Sequence, residues 1–257
     1  MTQTHSKSDA LYVKMRHDIL TLSLAPDSPL RLPAMAERYG IGATPIRECL
    51  NRLSTEKLVV IEHNRGFRVS SISLSELFDL EHSRSAIEGM LFQRAVENGD
   101  DAWEAGVIGA YHQLSRTHPM SVTGSQGDIE LWNRRHSACH DALIAAAGAP
   151  WRQHFQQQLK DQLGRYQLFI QNGLRDLFES HPENAPHVAD IYAKAMATDP
   201  HDDLYQVALA RDVAAARPVF EQHVNLSIRA FQELSALIPA GAVVATTLGS
   251  TSQEARA

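Results

Sequence analysis

His136 and His140, in the stretch HSACHDALIAAAGAP, stand four residues apart with Cys139 beside them. On a helix that spacing sends both rings out of one face, so two imidazoles could converge on a single metal ion. The same spacing also suits two ordinary side chains of a packed helix, and it does not by itself decide between them.

The elements that must position these rings are helices. SLSEL at 73–77 pairs Ser73 with Glu76 as a capping box and opens a long helix running to Asn98. Further helical stretches are expected over 101–117, 127–147, 150–179, 186–197, 201–210 and 212–237, separated by Gly, Pro and short polar segments. No strand pattern follows residue 72, so an all-α bundle over 73–238 is expected, with ligand sites between facing helices. Residues 239–257 are small and polar without periodicity and read as a loose tail.

A chain of 257 residues, 44% hydrophobic, has ample material for one large or two ordinary packed domains. It contains no apolar run of about 18–20 residues, and its first residues lack the pattern of a signal peptide. A cytoplasmic protein with no membrane partner is expected. Cys49 and Cys139 are the two cysteines, far apart in helical segments, which argues against a disulfide framework. The net charge of -6 is unevenly spread: residues 1–72 carry ten Lys/Arg against seven Asp/Glu, leaving 14 against 23 for the remainder. A mildly basic head on an acidic body suggests a polyanion-binding module joined to something else.

Residues 1–72 supply such a module. LYVKMRHDILTLSL forms a helical face that should end near Leu24, before the prolines of APDSP. RLPAMAERYG gives a short second helix closed by Gly40. In IGATPIRECLNRL, Thr44 is the expected N-cap, Pro45 sits at the first helical position, and Ile46, Leu50 and Leu53 form the inward stripe. The apolar run LVVI, the turn HNRG and the alternation FRV then read as a hairpin with Gly66 at its tip. Helix, tight turn, helix and hairpin make a winged helix-turn-helix, whose second helix can enter the DNA major groove.

These residues resemble the GntR family of bacterial transcriptional regulators, in particular the FadR subfamily with its C-terminal FCD effector domain. MAERYGIGATPIRECLNRL and KLVVIEHNRGFRV carry the resemblance. It implies contacts to operator DNA from Thr44 and Arg47 on the recognition helix and from Arg65 and Gly66 on the wing. Arg31, Arg52 and Arg68 would give electrostatic support. Many relatives have an arginine where this chain has Ala43, so their operator sequence does not transfer.

The resemblance continues over roughly 74–236. Metal-binding FCD domains hold a divalent ion with an aspartate, a histidine four residues later and two further histidines. HSACHDAL aligns His140 with the first of those histidines, and His201 and His223 fall at the others. His136 replaces the aspartate. Imidazole remains a competent ligand for Zn²⁺, Ni²⁺, Cu²⁺ or Fe²⁺, but one negative charge is lost from the site. A small anionic carboxylate effector would restore that charge through open coordination positions. Arg84 matches an arginine that in relatives faces the effector cavity, and its planar fork suits a carboxylate; a pair with Glu88 is the alternative. Arg165 and Tyr166 resemble a recurring FCD segment and are further effector candidates. Trp132, one turn before His136, is expected to pack in the core.

The expected function is therefore a homodimeric regulator, a repressor by family habit, whose operator affinity follows a carboxylate bound at or near a zinc-type site. Two alternatives remain: a metal-dependent enzyme using the histidines, which would need a base such as Glu130 or Asp141 beside metal-bound water, and a plain metal sensor.

Overall fold

Proline and glycine punctuation divides the chain into ten helices and one hairpin among the described residues, which are 7–63, 65–117, 124–180, 183, 185–195, 197 and 199–237 of a computed structural model. Two compact units result: one contains the residues up to Leu77 together with Asp161–Ile170, the other Phe78–Lys160 and the described residues from Gln171 onward. A division after residue 72 does not anticipate that the middle of one long helix joins the first unit. The expected tail at 239–257 lies outside the described residues.

In the first unit, α1 (Lys7–Leu20), α2 (Leu32–Tyr39) and α3 (Ala43–Thr55) precede the antiparallel strands β1 (Val59–Glu62) and β2 (Gly66–Val69). Leu11, Met15 and Ile19 of α1 meet Ile46, Leu50 and Leu53 of α3 in an apolar core completed by Val59, Phe67 and Val69. Helix α1 stops at Leu20 rather than near Leu24, because Leu22 takes a left-handed conformation (φ 61°) and turns the chain. Leu24 is nevertheless buried, which is why the apolar pattern runs past the helix end. Gly40 closes α2 at φ 65°, donating its N–H to the carbonyls of Ala36 and Glu37, as only a residue without a Cβ does cheaply. Helix α3 begins earlier than expected: Gly42 is its N-cap, with no side-chain cap bond, and Thr44 is the second helical residue. Pro45 still falls in the first turn, where its missing N–H costs nothing. The hairpin pairs Val59 with Val69 and Glu62 with Gly66, whose φ of 92° is a glycine's conformation.

The second unit is helical throughout its described residues: α4 (Leu74–Asn98, from Phe78), α5 (Asp101–Ser115), α6 (Gln126–Ile144), the flanks of α7 (Pro150–Ser180), α8 (Ala185–Ala195), α9 (Pro200–Ala210) and α10 (Val213–Leu237). Helix α5 packs on α6 and α9, and α10 on α8 and α9. Three local devices fix the helices that carry the histidines. Asp100 caps α5 by accepting the Trp103 N–H at 2.8 Å, and the indole of Trp103 donates to the Ala142 carbonyl at 2.9 Å, tying α5 to α6. Ser125 caps α6 by accepting the Asp128 N–H. Arg211 ends α9 in the left-handed region (φ 54°); its guanidinium stacks on Trp103 and bonds the Gly99 carbonyl and Glu104, contacts that offset the strain of a non-glycine residue there.

The capping box at the start of α4 forms by half. Ser73 Oγ accepts the Glu76 N–H at 3.2 Å, but Glu76 does not reach back to the Ser73 N–H. The Tyr166 hydroxyl takes that place, accepting from Ser73 N and donating to Glu76.

Candidate metal centre and nucleic-acid interface

Helix α6 presents His136 and His140 from adjacent turns of one face, α9 adds His201 in its first turn, and α10 adds His223. One ligand nitrogen from each of the four rings lies within 4.8 Å of all the others. The Nε2 atoms of His140 and His223 are 3.3 Å apart. Nitrogens bound to a tetrahedral zinc at about 2.0–2.1 Å sit roughly 3.3–3.4 Å from one another, so this pair already has the separation of two ligands. His140, His201 and His223 are buried and His136 is partly exposed. Trp132 stacks on His136 with ring centroids 4.5 Å apart and nearly parallel planes, so its core position also fixes that ring.

Electrostatics keep three of these rings neutral, the state that offers a lone pair to a metal. Burial first, then neighbouring histidines and Arg84, hold His136, His140 and His223 well below the ordinary imidazole range. At His223 the Pro200 carbonyl works the other way: it favours the protonated ring, although Nδ1 makes no hydrogen bond of good geometry.

Behind His140 lies a buried charged cluster. Arg84 donates from Nε to Glu88 at 3.1 Å and from Nη1 to Glu81 at 3.5 Å, and its Nη2 reaches His140 Nδ1 at 3.4 Å. Glu88 also accepts from Gln156 at 3.1 Å and stands 3.9 Å from His140 Nδ1. Burial pushes the Glu81 carboxyl up despite Arg84, and its Oε1 has no hydrogen-bond partner. Glu88 thus stands near His140 as a carboxylate already paired with Arg84. Sequence reasoning named Glu88 only as a possible partner of Arg84, and it missed Glu81 and Gln156; the three- and four-residue spacing of Glu81, Arg84 and Glu88 was the available signal.

The other effector candidates lie elsewhere. Arg165 and Tyr166 belong to the first unit, where Arg165 donates to the carbonyls of Ser70 and Ser71 at 2.6 and 2.8 Å and Tyr166 joins the α4 cap. The histidines and these two residues are not brought together within one unit. Of the acids an enzyme would need, Asp141 is exposed and paired with Lys160 at 2.6 Å, and Glu130 is exposed.

On the first unit, Thr44 and Arg47 are exposed at the start of α3, Arg31 is exposed at the N-cap of α2, and Arg65 and Gly66 are exposed at the turn into β2. Arg31, Arg47 and Arg65 make no side-chain hydrogen bond or ion pair among the described residues. Arg52 differs: it pairs with Asp9 at 3.3 Å and lies 3.5 Å over the Tyr12 ring, and Arg68 pairs with Glu62 at 3.0 Å.

Comparison with known proteins decides the family. Residues 7–69 match the family of bacterial regulatory proteins, gntR family, and residues 76–226 match the FCD domain. The chain belongs to the GntR family. This GntR regulator is 31% identical to the HTH-type transcriptional repressor GlaR of Escherichia coli (strain K12), over 88% of its own length and 96% of the relative's. It is 29% identical to the HTH-type transcriptional regulator BphR of Paraburkholderia xenovorans (strain LB400), covering 92% of this chain and 90% of the other. Among solved structures, E. coli McbR/YncC has the same fold, with a TM-score of 0.61 at 20% identity, covering 90% of this chain and 99% of that one. The regulator belongs to a family of DNA-binding transcription factors, not enzymes. Among its described residues no helix is long and apolar enough to cross a membrane.

Proposed function

We propose that this GntR regulator is a cytoplasmic homodimeric repressor whose grip on its operator is set by a small carboxylate, bound at a divalent metal held by His136, His140, His201 and His223. The observation that carries this reading is the convergence of four ring nitrogens, from three helices, within 4.8 Å. Zinc suits an all-imidazole set, and nickel or another transition metal would also be accepted. A bound divalent ion supplies positive charge and open coordination positions for an acidic ligand. The chain's own residues do the rest. The four rings would hold the ion, Trp132 fixes His136 by stacking, and Arg84 offers a guanidinium to the effector's distal acid group.

On the DNA side, the exposed start of α3 gives Thr44 and the free N–H groups of the helix to a phosphate, while Arg47 reads a base edge or a phosphate. Arg65 and Gly66 follow the groove or backbone from the wing, and Arg31 and Arg52 add charge. Two such heads on a two-fold axis fit a pseudo-palindromic site. Repression is supported by the name of the E. coli relative. An effector relieves it only by binding the two conformations with unequal affinity.

Fluorescence anisotropy of labelled operator tests this with metal-free protein, with zinc, and with zinc plus a panel of small carboxylates. Release by a carboxylate only in the zinc form is expected. A change on zinc alone, with no carboxylate effect, would make the protein a plain metal sensor; no response to either would remove the histidines from regulation.

A further inference from the structure

The second unit buries two indoles, and they differ in one respect. Trp103 donates its Nε1 hydrogen to the Ala142 carbonyl at 2.9 Å. Trp132, 4% exposed, has no acceptor for its own Nε1 hydrogen among the described residues. An indole nitrogen can only donate, so the role of this atom is unambiguous. A buried indole N–H ordinarily finds a partner, and one left without it carries the full cost of its desolvation.

The surroundings of that donor point to the acceptor it suits. Trp132 and His136 are four apart on α6, and their rings stack with centroids 4.5 Å apart and planes within 14° of each other. An indole N–H lies in the plane of its ring, as the lone pair of an imidazole nitrogen lies in the plane of its own. The donor therefore runs alongside the plane in which His136 would hold an ion, and does not enter the face of that ring. His136 is also the one ring of the four that is not buried, so a ligand reaching the ion would come in past the stack it forms with Trp132. The ligand set consists of imidazoles and contains no carboxylate, which leaves the acceptor to be brought by the ligand. A carboxylate has two oxygens: when one is on the ion, the other is left to accept a hydrogen bond.

We propose that the Trp132 indole N–H is a specificity-determining donor, bonded to the second oxygen of a carboxylate whose first oxygen is on the ion held by the four histidines. This rests on the reading of that cluster as a metal site. It gives Trp132 a role that stacking on His136 does not require, because a phenyl ring would stack as well. Trp132 then sets the acid group next to the ion, and Arg84 is left for a distal one.

The test is nitrogen NMR of the full chain labelled with ¹⁵N-tryptophan, which gives three indole signals, assigned with Trp132→Phe and Trp151→Phe. In zinc-loaded protein, acetate should move the Trp132 N–H proton downfield and leave that of Trp103, which is already bonded, in place. Without zinc, acetate should move neither. Calorimetry on zinc-saturated protein should show acetate binding about tenfold or more weaker in Trp132→Phe, the loss expected for a hydrogen bond to a charged acceptor. Working at zinc saturation keeps any change in zinc affinity, which a purely stacking role would produce, out of the comparison. Should Trp132→Phe not fold, the wild-type titration decides: Trp151→Phe alters a ring that is 75% exposed and removes one signal, and acetate that moves neither of the other two overturns the inference. An equal shift without zinc, or equal acetate affinity in Trp132→Phe, would also overturn it and leave the metal reading standing. Failure of zinc to bind would overturn both.

Discussion

The two units put their chemistry on opposite sides of their cores. In the winged helix-turn-helix the interior is apolar, from Met15 and Ile19 through Leu50 to Val69, and Arg31, Arg47 and Arg65 stand exposed outside it. In the helical unit an apolar cluster of Phe92, Leu143, Leu204 and Phe220 is accompanied by buried Glu81, Arg84, Glu88, Gln156 and three buried histidines. A surface for a polyanion needs only a rigid support. A site for an ion and a small acid needs desolvated groups whose partners are all specified, because each buried charge left unpaired is costly.

This contrast predicts different consequences for substitutions in each unit. The largest effect belongs to the apolar core: Leu50→Ala should destabilise the first unit by about 2–5 kcal/mol in denaturant titration, with operator binding lost in step. Next, removing one ring by His140→Ala or His223→Ala should weaken zinc, in competition with a chromophoric chelator, by at least the roughly 100-fold seen when outer partners of metal ligands are lost. Binding of metal-free protein to operator should be unchanged in both; a parallel loss would mean general misfolding. Arg47→Ala should do the reverse, costing about 1–3 kcal/mol of operator affinity if the residue reads a base, with zinc affinity intact.

How much of this was legible in the sequence follows the same division. Helix α3, the Gly40 stop of α2 and the presence of the hairpin are local consequences of residue type, and the pattern revealed them; α1 and α3 differed at their ends because Leu24 is buried without being helical and because glycine rather than threonine precedes α3. The spacing of His136 and His140 announced a shared face, but bringing His201 and His223 to the same point depends on how α6, α9 and α10 pack, which periodicity does not encode. Glu88 was visible only as a helix neighbour of Arg84. Its nearness to His140, 56 positions after Arg84, is a tertiary fact, as is the insertion of Tyr166 into the α4 cap.

A smaller effect distinguishes the units by pH. Burial lowers His140 and His223 in the folded state, so below about pH 6.5 the unfolded chain takes up protons that the native rings refuse, and stability falls as pH falls. Glu81, raised by burial, works with the opposite sign above its ordinary value. The net slope of metal-free stability between about pH 6.5 and 5.5 should be roughly 1–3 kcal/mol per unit, measured by denaturant titration, and His140→Gln should flatten it. The smallest effect is on the wing: Arg65→Ala should reduce the log–log salt dependence of operator binding by about one, as expected for one phosphate contact.

The central claim is that four histidines form one metal site. Its most direct measurement is the metal content of protein purified without an affinity tag or chelator, compared with His136→Ala and His223→Ala. The account predicts close to one divalent ion per wild-type chain and almost none in either variant. Wild-type protein that carries no metal even after reconstitution, or a metal content that survives both substitutions, would contradict it.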